Sequence, residues 1–235
     1  MIVLHTFGPF MGTPDASPFV MKAMLLLKHA GLPYTEKSGT PFGAPHGLLP
    51  YIDDDGRRVA DSTMIRAHIE KKYGFDFDAG LDASQKATAW TIERMCEDHL
   101  YFAILRARWL DREVFDAGIA RLFAQIPAPV RPLVKAVIRK SNEKRLKGHG
   151  LGRLTEEQIQ WFAMRDLDAL AQSLGDKPYL MGDAPCGVDA TAFGMLTALL
   201  VPDLAIPLRA VARQHANLVA YQKRVAAKYF PETKG

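Results

Sequence analysis

The chain has 235 residues, 48% of them apolar, and a formal net charge of +4. That length holds one large or two modest domains with ample core. The mild basicity comes with no basic–aromatic motif, which argues against a nucleic-acid partner. Two cysteines, Cys96 and Cys186, form neither a disulfide framework nor a metal-ligand pattern. No apolar run reaches the ~18 residues of a membrane span, and the opening residues lack a signal-peptide pattern. A soluble, cytoplasmic protein with no stable membrane insertion is expected.

In chain order, Ile2 to Phe7 reads as a buried strand, followed by a loop through Gly8, Gly12, Thr13, Pro14 and Asp15. Ser17-Pro18-Phe19 opens a helix to about Ala30: Ser17 is a natural N-cap and Pro18 takes the favoured first position. Pro33 to Glu36 reads as a second strand, so a helical crossover implies a parallel pair. Residues 37–48 hold three glycines and two prolines and should form no regular helix. Tyr51–Asp53 and Arg58–Ala60 flank an Asp54–Gly56 turn, a hairpin signal. A helix should follow, with Ser62 as cap, Asp61 adding charge near the positive helix end, and Met64, Ile65, His68 and Ile69 as its apolar stripe. Gly74 suits its stop.

Phe75 to Ser84 reads as a linker. Helical spacing resumes at Asp82 and runs to Asp111 in two stripes, one with Thr91, Met95, Phe102 and Trp109, the other with Ile92, Cys96, His99, Ala103 and Arg106. His99 and Arg106 either line a pocket or hold packing together, with Arg106 paired to Glu93 or Asp98. From Glu113 to Gly150, Pro127, Pro129 and Pro132 split the chain into at least two helices, the second basic. It reads as a bundle helix with a solvated basic face rather than a membrane-surface helix. Thr155 and Gln158 make a capping box for a helix ending at Gly175. Cys186 to Asp189 leads into the apolar run 190–201, and a last helix covers about Asn217 to Lys228. The seven histidines show no metal-ligand spacing, so no metal is expected.

Two places carry chemistry. Leu49-Pro50 enters a strand, where proline has a positional reason; were the bond cis, the Leu49 backbone would be free to pair with an extended peptide. Beside it, Asp61-Ser62 opens a helix whose free amides suit a carboxylate. At Ser17, another helix N-terminus would stabilise a thiolate, and a hydroxyl bonded to that thiolate would lower its pKa further. Ser17 is either a plain cap or a cap with this second role.

Taken together, Ser17-Pro18-Phe19, Leu49-Pro50, Asp61-Ser62, Gly182 to Asp189, Asn217 to Tyr221 and Tyr229 to Glu232 resemble the glutathione S-transferase superfamily, in particular its failed-axon-connections and metaxin-like branch. The resemblance implies an α/β thioredoxin-like N-terminal domain at 1–76, a linker at 77–82 and an all-α helical bundle domain at 83–235. It implies glutathione as co-substrate, held by Leu49, Pro50, Asp61 and Ser62, with His46 and Lys37 for its glycine carboxylate and Ser17 activating its thiol. A small hydrophobic electrophile would then sit against the helical domain near His99 and Arg106, in a homodimer. The alternative is a non-catalytic binding or scaffold protein on the same fold. The sequence departs from the family pattern in having Cys186 where a capping hydroxyl stands. It also has a longer Gly12–Ala16 segment, and no tyrosine precedes Ser17.

Overall fold

A computed structural model describes residues 1–231; Glu232, at the end of the last phrase above, lies outside the described residues. The strand β1 (Ile2–Thr6) leads through a loop to helix α1 (Pro18–His29), then β2 (Tyr34–Ser38), β3 (Tyr51–Asp54), β4 (Arg57–Ala60) and α2 (Ser62–Tyr73). The sheet order is β2-β1-β3-β4. β1 is parallel to β2 and antiparallel to β3, and β3 is antiparallel to β4. This is the expected βαβ then ββα order. The hairpin turn is tighter than the sequence suggests. Asp54 still pairs with Arg57, so Asp55 (φ 49°) and Gly56 (φ 83°) alone make the turn, as a two-residue hairpin with left-handed positions requires. Residues 41–47 form two single 3₁₀ turns in place of a helix.

One correction falls at α2. Its N-cap is Asp61, not Ser62: the Asp61 carboxylate accepts the amides of Thr63 (2.8 Å) and Met64 (3.3 Å). Aspartate reaches both amides from the position before the helix, which leaves Ser62 as its first residue.

The helices that follow are α3 (Ala83–Met95), α4 (Tyr101–Trp109), α5 (Arg112–Ala117), α6 (Arg131–His149), α7 (Glu156–Leu174), α8 (Gly187–Leu200), α9 (Pro207–Gln214) and α10 (Ala216–Tyr229). A wide π turn at Cys96–Leu100 joins α3 to α4. Pro132 sits in the first turn of α6, and the Thr155–Gln158 capping box opens α7 as expected. Every residue of α8 is buried, the mark of a central helix with no solvent face. It packs along α1. Gly194 permits this, since a Cβ there would overlap the Pro18 carbonyl oxygen.

At the start of α8 the Cys186 thiol stands in for the hydroxyl of the capping box and also donates to the Asp189 carboxylate at 3.3 Å. The Asp189 amide donates to the Cys186 carbonyl (3.1 Å), while the Asp189 carboxylate accepts the Cys186 amide (2.8 Å), the Leu180 amide (3.1 Å) and the Tyr221 hydroxyl (2.7 Å). Both cysteines are buried, free thiols. Among the described residues, no helix is long and apolar enough to cross a membrane.

Candidate active site

The topology gathers the chemistry at one end of the sheet. His5, near the end of β1, is in register with both Lys37 on β2 and Tyr51 at the start of β3, and Tyr51 is in register with Ala60 at the end of β4. Lys37, the turn bearing His46, Leu49-Pro50 and Asp61-Ser62 therefore lie at that end. So does the loop from β1 to Ser17. Lys37 and His46 are both exposed there.

The Leu49–Pro50 bond is cis. The Pro50 carbonyl accepts the Asp61 amide at 3.3 Å, which ties the two candidate binding segments together. The backbone N–H and C=O of Leu49 have no hydrogen-bond partner among the described residues.

Asp61 holds a backbone of φ 74°, a left-handed position that costs a non-glycine residue free energy. Its cap bonds use one carboxylate oxygen, and the other remains available. Ser62 is 1% exposed, and its hydroxyl has no hydrogen-bond partner among the described residues. A buried hydroxyl left unpaired costs about 1–3 kcal/mol. With the Ser62 amide also unpaired at the first helical position, a donor pair is presented at a helix N-terminus.

At α1, Ser17 Oγ accepts the Val20 amide at a long 3.4 Å. The Ser17 amide is taken by the buried carboxylate of Asp15 at 2.7 Å, which also accepts the Gly8 amide at 2.7 Å. Pro18 has no N–H, so the Phe19 amide is the free donor of the first turn. Burial pushes the Asp15 carboxyl up to about 7, against the pull of the Ser17 and Gly8 amides. Asp15 escaped the sequence reading, yet its place two residues before the cap is an Asx-turn signal.

Behind this end lies a buried ionic cluster. Lys22 of α1, 1% exposed, donates to Glu97 (2.7 Å), Glu93 (3.0 Å) and Thr63 (3.0 Å). Arg94 adds bonds to Glu93 (3.0 Å) and Glu97 (2.6 Å), and Thr191 of α8 donates to Glu97 at 3.1 Å. The cluster links the helix carrying Ser17, the helix opened by Asp61 and the α3 to α8 face. Burial alone would push the Glu93 carboxyl up, but the Lys22 charge holds it below the usual range.

His99 and Arg106 face elsewhere. His99 pairs with Asp166 of α7 at 2.5 Å and meets the Phe162 ring edge-on. Arg106 pairs with Glu156 at the start of α7, not with Glu93 or Asp98; those acids serve Lys22 and Arg94 instead. Among the described residues no contact joins His99 or Arg106 to Ser17, Leu49 or Ser62. The helix face turned to the β1–α1 segment lies two residues further on. Tyr101 meets Phe19 edge-on with ring centroids 4.7 Å apart, and the Arg108 guanidinium lies 5.7 Å from the Phe10 ring.

One end of the sheet thus gathers the unpaired Leu49 backbone, the unpaired Ser62 hydroxyl and two helix starts with free amides. The comparisons with known proteins give the family. A family model described as glutathione S-transferase N-terminal domain matches residues 18–114, and one described as glutathione S-transferase C-terminal domain matches 163–225. The chain is 32% identical to an isoprene-epoxide–glutathione S-transferase of Rhodococcus sp. (strain AD45), over 97% of this chain and 99% of that one. It is 31% identical to Failed axon connections of Drosophila melanogaster, covering 99% of this chain but 59% of that protein. It is 25% identical to metaxin-2 of Mus musculus, over 93% of this chain and 83% of that one. Among solved structures, a beta-etherase from Sphingobium sp. strain SYK-6 has a TM-score of 0.71 at 15% identity, covering 99% of this chain and 98% of that one. A glutathione S-transferase from Methylobacterium radiotolerans, in complex with glutathione sulfonate, has a TM-score of 0.63 at 20% identity, covering 99% and 93%. At such identities the structures show the fold alone. With models over both halves and a relative of this identity along nearly the whole length, the chain belongs to the glutathione S-transferase family.

Proposed function

We propose that the protein is a glutathione-dependent transferase that directs the glutathione thiolate at a small hydrophobic electrophile. The observation that carries this reading is the buried Ser62 hydroxyl with no partner, next to a cap residue held at positive φ. The γ-glutamyl carboxylate would complete Ser62, and the second Asp61 oxygen would meet the ammonium. Leu49 would pair with the cysteinyl backbone, and Lys37 or His46 would take the glycine carboxylate. The thiolate would lie at the Phe19 amide and the Ser17 hydroxyl, which can donate while its oxygen accepts from Val20. An electrophile would approach from the Tyr101 side of α4, with His99 and Arg106 more remote. The name of the Rhodococcus relative favours an epoxide as its class. The reading includes a division at 77–82 between sheet and helical units and a cytoplasmic homodimer, two-fold dimers being the commonest assembly.

Calorimetric titration with glutathione tests it. Ser62→Ala should weaken binding by about 1–2 kcal/mol, the scale of a charge-assisted hydrogen bond; unchanged affinity counts against the site. A second reading, a binding protein without turnover, is favoured by the engagement of Ser17 in capping and by the relatives of the failed-axon-connections and metaxin type. Retention on immobilised glutathione without conjugation of a generic electrophile would support it.

A further inference from the structure

We infer that the electrophile subsite accepts molecules bearing a carboxylate, which Arg108 binds with help from Arg145 and Tyr101. The inference rests on the transferase reading of the same cleft. Arg108 is 5% exposed, and its Nε is buried with no hydrogen-bond partner. Among the described residues no carboxylate pairs with it, whereas the buried Lys22 has Glu93 and Glu97 and the partly buried Arg66 has Glu70 and Asp78. A buried, unpaired charge is expensive and is not retained for stability. The Phe10 ring, 5.7 Å away, offers the guanidinium a π face but no anion. Burial pushes the guanidinium down to about 10, which leaves it charged at neutral pH.

A second cation stands on the same side. Arg145 of α6 donates to the Tyr101 hydroxyl at 3.3 Å and lies 5.3 Å from both the Tyr101 and the Phe102 rings. It too has no carboxylate partner among the described residues. Tyr101 and Arg108 are seven residues apart on α4 and so share one face. That face meets Phe19 and Phe10, which bracket Ser17 in sequence. One uncompensated guanidinium and a phenol thus border the segment proposed to carry the thiolate, and a second guanidinium, Arg145, is held on that phenol. The planar guanidinium fork matches a carboxylate, and the aromatic rings suit the body of an aryl acceptor.

The test uses 4-chloro-3-nitrobenzoate and its methyl ester. Attack by the glutathione thiolate on the chlorine-bearing carbon forms a C–S bond, breaks the C–Cl bond and releases chloride; the thiol proton goes to solvent. Calorimetry with each compound, in the presence of glutathione and in its absence, reads binding without requiring turnover. The carboxylate should bind the full-length protein about tenfold more tightly than the ester, the scale of one charge-assisted hydrogen bond. Arg108→Met should bring this ratio close to one. With no carboxylate left unpaired behind it, Arg108→Met should fold, as a thermal melt reports; Arg145→Gln, at a half-buried site, should lower the ratio in part and gives an independent reading. Equal binding of the two compounds by the parent protein overturns the inference, as does a ratio that survives Arg108→Met. Glutathione binding with no carboxylate preference sinks the subsite and spares the transferase reading. An Arg108-dependent preference without glutathione binding does the reverse.

Discussion

Ser17 has an oxygen that accepts and a hydrogen that donates, and the fold engages the first. Because the bond from Val20 is long at 3.4 Å, Ser17→Ala should cost at most ~1 kcal/mol of stability. If the hydroxyl also bonds the thiolate, the same change raises the pKa of bound glutathione, about 1.4 kcal/mol per unit; an ultraviolet thiolate titration that does not move would remove Ser17 from the chemistry. Asp15, two residues earlier, sets a pH dependence. Its folded value of about 7 lies above its unfolded value of 3.8, so the folded chain binds that proton more tightly. Its contribution to stability is therefore complete below pH 3.8 and is lost as pH rises through about 7. Urea unfolding should show a flatter pH profile for Asp15→Asn than for the parent across that window, and parallel profiles would contradict the assignment. Ser17, Leu49-Pro50 and Asp61-Ser62 were legible in the sequence because caps and strand entries are local patterns. Arg108 was not, because nothing near it in the chain says that its partner is missing.

Elements were legible where periodicity and punctuation agree. Ser17-Pro18 opens α1, the glycine-rich stretch avoids a helix, the prolines before α6 break the chain, and Thr155 caps α7. The stripe on α3 and α4 misled at one point. The π turn at Cys96–Leu100 adds a residue to one turn and shifts every later side chain round the axis. His99 within the turn and Arg106 beyond it meet α7, and Tyr101 and Arg108 meet α1 and its loop. The short α5 and α9 carry too few turns to show a period. Lys22 looks like an ordinary solvated lysine until Glu93 and Glu97 arrive from more than seventy residues away, at separations of 71 and 75. Lys22→Met would leave the two buried carboxylates to Arg94, the more distant Arg66 (3.6 Å from Glu93) and the threonines. It should cost about 3–5 kcal/mol, as removing one partner of a buried pair does. Urea unfolding measures this; a loss below about 1 kcal/mol would mean that the cluster does not hold the helices to the sheet unit.

Across the whole molecule, the order of elements was readable but their docking was not. The contact of α1 with α8 depends on Gly194, which is one glycine in an apolar run until Pro18 is seen against it. That contact and the Lys22 cluster fix the N-terminus of α1 relative to the helices, and so fix Ser17 relative to Tyr101 and Arg108. The family assignment covers the fold; the site is a proposal built on unpaired groups, namely Ser62, the Leu49 backbone and the Phe19 amide. A crystal structure with bound glutathione tests that site most directly. The account predicts the γ-glutamyl carboxylate on the Ser62 hydroxyl and amide, the cysteinyl backbone paired with Leu49, and the sulfur within about 3.5 Å of Ser17 Oγ, the reach of a hydrogen bond to sulfur. Glutathione bound elsewhere, or with its sulfur turned away from α1, would contradict it.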